Sequence, residues 1–210
     1  MTSQDAQLFY VADPMCSWCW GFREALEGVE PKLRAGVAVR LVMGGLAPDD
    51  EAPMDEATRL YVQDAWGAVA AKTGARFNHD FWSDCKPRRS TWPACRAVLV
   101  AEEEAPGRGR EMFAAIQRAY YLEARNPSDF GTLAELAGEL GLQTDGFVER
   151  LNAPETKQRL EQEFKLRDRL GTRGYPSLAL ESGGRIEVLT RGYVSRARLQ
   201  ALLSERGLLA

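Results

Sequence analysis

Two cysteines separated by two residues, Cys16-Ser17-Trp18-Cys19, are the strongest chemical feature of the sequence. In a dithiol of this spacing one thiolate attacks a disulfide, and the second sulfur resolves the mixed disulfide that forms. The attacking thiol needs its pKa brought down towards ambient pH. The start of a helix favours that, because unpaired N–H groups and the positive end of the helix dipole stabilise the charged form. The motif stands where an apolar run of strand length, Gln7 to Ala12, ends at Asp13-Pro14 and a helical period begins. Cys16, nearer the helix end, is expected to be the exposed nucleophile. Cys19, one turn deeper, is expected to attack the mixed disulfide and release the substrate.

The same spacing has other uses. It can be half of a tetrahedral zinc site, for which Cys85, Cys95 and His79 are the other candidate ligands. Cys85 and Cys95 are too widely spaced for a zinc knuckle, and no third cysteine lies close enough to suggest an iron–sulfur cluster. Two inert core cysteines are the third alternative. Cys95 falls in the first turn of a helix expected from Thr91, with Pro93 tolerated there, and that placement could lower its pKa. A regulatory disulfide with Cys85 or a relay to Cys16 would then be possible; unpaired, half-buried thiols fit a reducing compartment better. His79, the only histidine, falls in a polar turn with no nucleophile elbow to accompany it. Cys85 to Ser90 is a locally basic loop that could meet carboxylates of glutathione, or simply be solvated.

A second feature is Arg173-Gly174-Tyr175-Pro176-Ser177, directly before a strand from Ser177 to Glu181. A proline at the first position of a strand is ordinary. Joined to an upstream CxxC, it suggests a cis Tyr175-Pro176 bond that turns backbone groups of Tyr175 towards the thiols. Those groups could pair with an extended substrate by strand addition. Of the tryptophans, Trp20, Trp66, Trp82 and Trp92 read as core, whereas Trp18 between the cysteines should be partly exposed and touch substrate.

These residues need elements to hold them. Cys19, Phe22, Leu26, Val29 and Leu33 share one helical face, which Gly36 is expected to end. Val37, Val39, Leu41 and Met43 alternate as a strand. The opening 45 residues or so thus read as strand, helix, strand, with the two strands parallel. From about Met54 to Leu170 no strand is evident. Val62, Trp66 and Val69 mark one helix, and Ala94, Val98 and Ala101 a second. Met112, Phe113, Ile116, Ala119 and Tyr120 mark a third, and Leu133, Leu136, Ala137 and Leu140 a fourth. Pro106 to Gly109 reads as a turn, lacking the lysine of a phosphate loop. Glu155 to Leu170 is a long charged helix capped by Gly171. Ser177–Glu181 and Ile186–Thr190 make a hairpin, and Ser195 is placed to cap a last helix bearing Leu199, Leu202 and Leu203.

Composition bounds the function. The chain has 210 residues and a formal net charge of −3, with 45% hydrophobic and 27% charged residues. A chain of this length buries enough surface to fold without disulfide staples. Mild acidity argues against nucleic acid as a partner. No run is long and apolar enough for a membrane helix. Met1 to Asp5 is polar, without the basic start and apolar stretch of a secretion signal, so a cytoplasmic protein is expected.

Cys16-Ser17-Trp18-Cys19 at a helix start, with Gly174-Tyr175-Pro176-Ser177 before a hairpin, resembles the thioredoxin superfamily. The helical block between the halves, and the stretch Asp13 to Phe22, resemble its DsbA branch. That branch includes cytoplasmic disulfide oxidoreductases or isomerases, FrnE-like proteins, 2-hydroxychromene-2-carboxylate isomerases and kappa-class glutathione transferases. The resemblance implies a thioredoxin-like α/β fold over residues 1–50 and 155–210, interrupted by an all-helical insertion over 51–154. It implies Cys16 as nucleophile, Cys19 as resolving thiol and Pro176 as the cis-proline, with Ser17, Trp18 and Tyr175 beside the substrate. Disulfide-containing proteins or peptides are the implied partners. No metal or organic cofactor is implied, and glutathione is at most a co-substrate.

The Ser17-Trp18 dipeptide lacks the histidine and proline of periplasmic DsbA, although Ser17 could hydrogen-bond the thiolate. The expected reduction potential is therefore more negative, roughly −190 to −270 mV. A glutathione-dependent transferase or isomerase is the enzymatic alternative, and a redox-sensing adaptor the non-enzymatic one.

Overall fold

A computed structural model describes residues 6–210; the polar stretch Met1 to Asp5 lies outside the described residues. Four strands form one sheet in the order β2-β1-β3-β4: β1 (Ala6–Ala12), β2 (Val37–Met43), β3 (Ser177–Ser182) and β4 (Arg185–Arg191). β1 and β2 are parallel, with Ala6 opposite Val37 and Ala12 opposite Met43. β3 runs antiparallel to both β1 and β4. β1 is buried on both faces, which is why it reads as an unbroken apolar run rather than as an alternation. Leu8, Tyr10 and Ala12 point to the larger core with helices α1 (Ser17–Glu27) and α9 (Arg196–Ser204). Phe9 and Val11 point the other way, into a smaller cluster with Val42, Leu170 and Ala179.

The helical block between β2 and β3 holds α2 (Glu56–Thr73), α3 (Phe81–Asp84), α4 (Trp92–Glu104), α5 (Arg108–Leu122), α6 (Phe130–Glu139) and α7 (Phe147–Asn152). α8 (Pro154–Arg169) then leads back to the sheet. The block has its own aromatic centre. Trp66, fully buried, packs on Phe77, Phe81, Trp82, Tyr120 and Tyr121 at centroid distances of 4.9–5.8 Å. α5 joins this centre to the sheet through Phe113, whose ring meets Tyr10 edge-on. The result is a DsbA-like thioredoxin fold: β1-α1-β2, helices, then β3-β4-α9.

Three expectations need correction. α1 stops at Glu27, well before Gly36, and a 3₁₀ turn follows at Glu30–Lys32. Arg196 crosses the helix end there: its guanidinium donates to the Glu24 carbonyl at 2.9 Å, and a Cβ on Gly28 would lie 2.4 Å from it. Pro31, lacking an N–H, falls in the next turn. The turn read from Pro106 to Gly109 extends only to Gly107. Arg108 and Gly109 open α5, where Glu102 accepts from the N–H groups of Gly107 and Gly109. The hairpin turn is also shorter than expected, with Ser182 and Arg185 both in strands.

Candidate active site

The backbone turns sharply between β1 and α1. Cys16 is the N-cap of α1, in extended conformation (φ −87°, ψ 115°), and its carbonyl accepts the first helical bond from Trp20. Cys16 thus stands at the start of the helix, and its side chain makes no capping hydrogen bond to the first turn. Cys19 follows one turn on, fully buried, on the face with Phe22. Burial, reinforced by the neighbouring Cys16 sulfur, holds the Cys19 thiol well above its ordinary pKa. Both cysteines are free thiols.

Cys16 is only 7% exposed. The expectation of an exposed nucleophile is corrected: Pro14 and Met15 before it are themselves buried, and the thiol points at the Tyr175 carbonyl, 3.8 Å from the sulfur. The ranking of the pair is still that Cys16 lies nearer the surface than Cys19.

Residues 159 positions apart in the chain are thus brought together. The Tyr175-Pro176 peptide bond is cis. The Tyr175 hydroxyl donates to the Gly44 carbonyl at 2.7 Å, and Arg167 of α8 reaches both Gly44 and the same hydroxyl. The ring covers Gly44 so closely that a Cβ there would lie 2.4 Å from it. Trp18 is half-buried, with its ring 6.2 Å from Tyr193. Together with Ala68, Lys72, Tyr175 and Gly192, these two rings line an open cleft of about 520 Å³. Ser17, also half-buried, is the first residue of α1.

Asp13 was legible only as the residue that ends a strand. It is fully buried, and its carboxylate accepts from the N–H groups of Met15 (2.8 Å) and Leu46 (2.7 Å) and from the Thr91 hydroxyl (2.7 Å). Burial raises its pKa above the usual carboxylate range despite those donors. The Cys95 thiol faces the same oxygen at 3.5 Å. Burial and this carboxylate push Cys95 well above its ordinary pKa, the reverse of what a first-turn position suggests. Desolvation and a nearby negative charge outweigh the dipole. Cys85 donates instead to the Ala124 carbonyl at 3.1 Å, and burial raises its pKa too. In the basic loop, Arg88 is engaged with Ser128 and Asp129. His79 is exposed in a turn, edge-on to Trp66.

The model of the DSBA-like thioredoxin domain matches residues 7–203, spanning both halves of the sheet and the helices between them. The chain belongs to the DSBA-like thioredoxin domain family. A candidate protein disulfide isomerase from Nitrosomonas europaea is 32% identical, with a TM-score of 0.84 and coverage of 96% of this chain and 97% of that one. The cytosolic disulfide reductase DsbM of Pseudomonas aeruginosa is 33% identical, with a TM-score of 0.74 over 97% of this chain and 100% of its own; a structure of DsbM with GSH is also similar. The ClpXP adapter protein SpxH of Bacillus subtilis is 21% identical over 174 residues, which cover 82% of this chain. The chain spans little more than half of that relative, 57% of its length. No helix among the described residues is long and apolar enough to cross a membrane.

Proposed function

We propose that the protein is a cytoplasmic thiol–disulfide oxidoreductase that reduces or isomerises disulfides through Cys16 and Cys19, with glutathione as co-substrate. One observation carries the reading: Cys16 caps α1 beneath the Tyr175 carbonyl while Cys19 lies sealed one turn deeper. Cys16 as thiolate attacks one sulfur of a substrate disulfide, forming a mixed disulfide and releasing the other sulfur as a thiol. Cys19 then attacks the Cys16 sulfur, releasing the second substrate thiol and leaving a Cys16–Cys19 disulfide. Two molecules of glutathione reduce that disulfide and depart as glutathione disulfide. The exchange itself needs no metal or organic cofactor.

Ser17, Trp18, Tyr175 and Pro176 form the substrate edge, with backbone groups of Tyr175 pairing with an extended peptide. Lys72, the cation lining the cleft, offers a partner for a glutathione carboxylate. Similarity to a cytosolic reductase, and to that protein's structure with GSH, supports both the compartment and the co-substrate.

The test is turnover of a protein disulfide with glutathione as reductant. Wild type is expected to turn over, Cys16→Ser to lose activity, and Cys19→Ser to stall. Activity that survives Cys19→Ser yet requires glutathione would instead favour the transferase or isomerase alternative. Similarity to SpxH supports a second reading, a redox-sensing adaptor. That reading gains if wild type shows no turnover but changes binding partners on oxidation.

A further inference from the structure

Arg96 on α4 is a cation folded into the interior with too few partners. Its side chain is 2% exposed. One of its N–H groups donates to the Asp49 carboxylate at 2.8 Å, and that carboxylate is itself half-exposed. The Arg96 Nε–H is buried and has no hydrogen-bond partner among the described residues. A charge taken out of water is costly unless its donors are met. Arg88 repeats the pattern: Ser128 and Asp129 hold its terminal nitrogen, while its Nε is buried without a partner.

Both arginines line one cavity of about 220 Å³, walled by the loop after β2, the start of α4 and residues of α6, α7 and α8. It shares no lining residue with the cleft beside Trp18 and Tyr175. Ser90, 2% exposed, adds a hydroxyl that accepts from the Asp50 N–H at 3.3 Å, which leaves its own proton to donate. Lys157, exposed on α8, brings an ammonium to the rim. The cavity also has acceptors. Asp50 gives one carboxylate oxygen to the Ala52 N–H at 2.9 Å, and Glu51 beside it is exposed. Three cations, Arg88, Arg96 and Lys157, therefore face the same space as three carboxylates, Asp49, Asp50 and Glu51. A lone anion would meet those carboxylates and a lone cation those bases, whereas a molecule carrying both charges satisfies both sets. Pro93 and Phe130 supply an apolar wall.

We propose that this cavity binds a small zwitterionic amino acid. Its carboxylate accepts from the Nε–H groups of Arg88 and Arg96 and from the Ser90 hydroxyl, bonds of the charge-assisted kind. Its ammonium donates to Asp50 and Glu51, and its side chain lies against Pro93 and Phe130. The site is independent of the thiol chemistry, and no step of disulfide exchange passes through it.

Nuclear magnetic resonance of the intact ¹⁵N-labelled chain reads the Arg88 and Arg96 Nε–H signals directly. Titration with L-alanine is expected to move both signals saturably. Propionate, which lacks the ammonium, and ethylamine, which lacks the carboxylate, are expected to bind about tenfold more weakly. Glu51 and Lys157 are exposed, so their substitution leaves the fold intact. Glu51→Gln is expected to weaken L-alanine about threefold without weakening propionate, and Lys157→Gln to weaken both about threefold. Unmoved Nε–H signals overturn the site. Propionate or inorganic phosphate binding as tightly as L-alanine, or a Glu51→Gln variant that binds L-alanine like wild type, overturns the zwitterion.

Discussion

Asp13 ties two distant segments to the turn that carries the dithiol. Its oxygens hold Met15, next to Cys16, together with Leu46 of the loop after β2 and Thr91 at the start of α4. A carboxyl whose pKa is raised in the folded chain contributes its stability below the unfolded value, about 4, and loses it as pH climbs through the folded value. The unfolding free-energy difference between wild type and Asp13→Asn should therefore shrink as pH rises from about 4 towards neutrality. Urea titrations at several pH values check this, and a constant difference contradicts it. Nothing near Asp13 in the sequence marked this role, because Leu46, Thr91 and Cys95 lie 33 to 82 residues away. Cys16 and Cys19 were legible because their chemistry is written in residue type and close spacing; Tyr175 and Pro176, 159 positions from Cys16 in the case of Tyr175, were legible only through the resemblance that joins them to the dithiol. Lys72 and Tyr193 were not, since only the packing of α2 and the segment after β4 brings them to the cleft.

Elements were legible where one buried face dominates. The stripe Val62, Trp66, Val69 is the buried face of α2, and Ser195 caps α9 by accepting from the Arg198 N–H. They were obscured where a single tertiary contact decides. At the end of α1, Arg196 donates to the Glu24 carbonyl from 172 residues away. In the mostly charged α8, Glu163 is nearly buried because it accepts from the Met43 N–H of edge strand β2 and from Arg40. Such a contact carries no periodic signature. The loop after β2 makes an element-scale prediction. Gly44→Ala drives a methyl into the Tyr175 ring and moves its carbonyl off Cys16. Disulfide exchange is expected to slow on the order of tenfold, out of proportion to any loss in thermal stability. Steady-state rates beside melting curves read both, and a rate that falls only as far as the folded fraction contradicts the role given to Tyr175.

Across the whole molecule, one sheet joins two ends of the chain that the sequence separates by a long helical block. The strand–helix–strand start and hairpin–helix finish were legible because each is local. How the block sits on them was not, since rings such as Tyr10 and Phe113 meet only after both parts fold. The fold places a nearly covered Cys16 at the N-cap of α1, and everything proposed about activity depends on that sulfur being the one that attacks. The most direct measurement is the intact mass of Cys19→Ser after exposure to glutathione disulfide, with peptide mapping to locate the adduct. A single glutathione on Cys16, absent from the Cys16→Ser/Cys19→Ser double variant, is the predicted result. An adduct on Cys85 or Cys95 with Cys16 unmodified would contradict it.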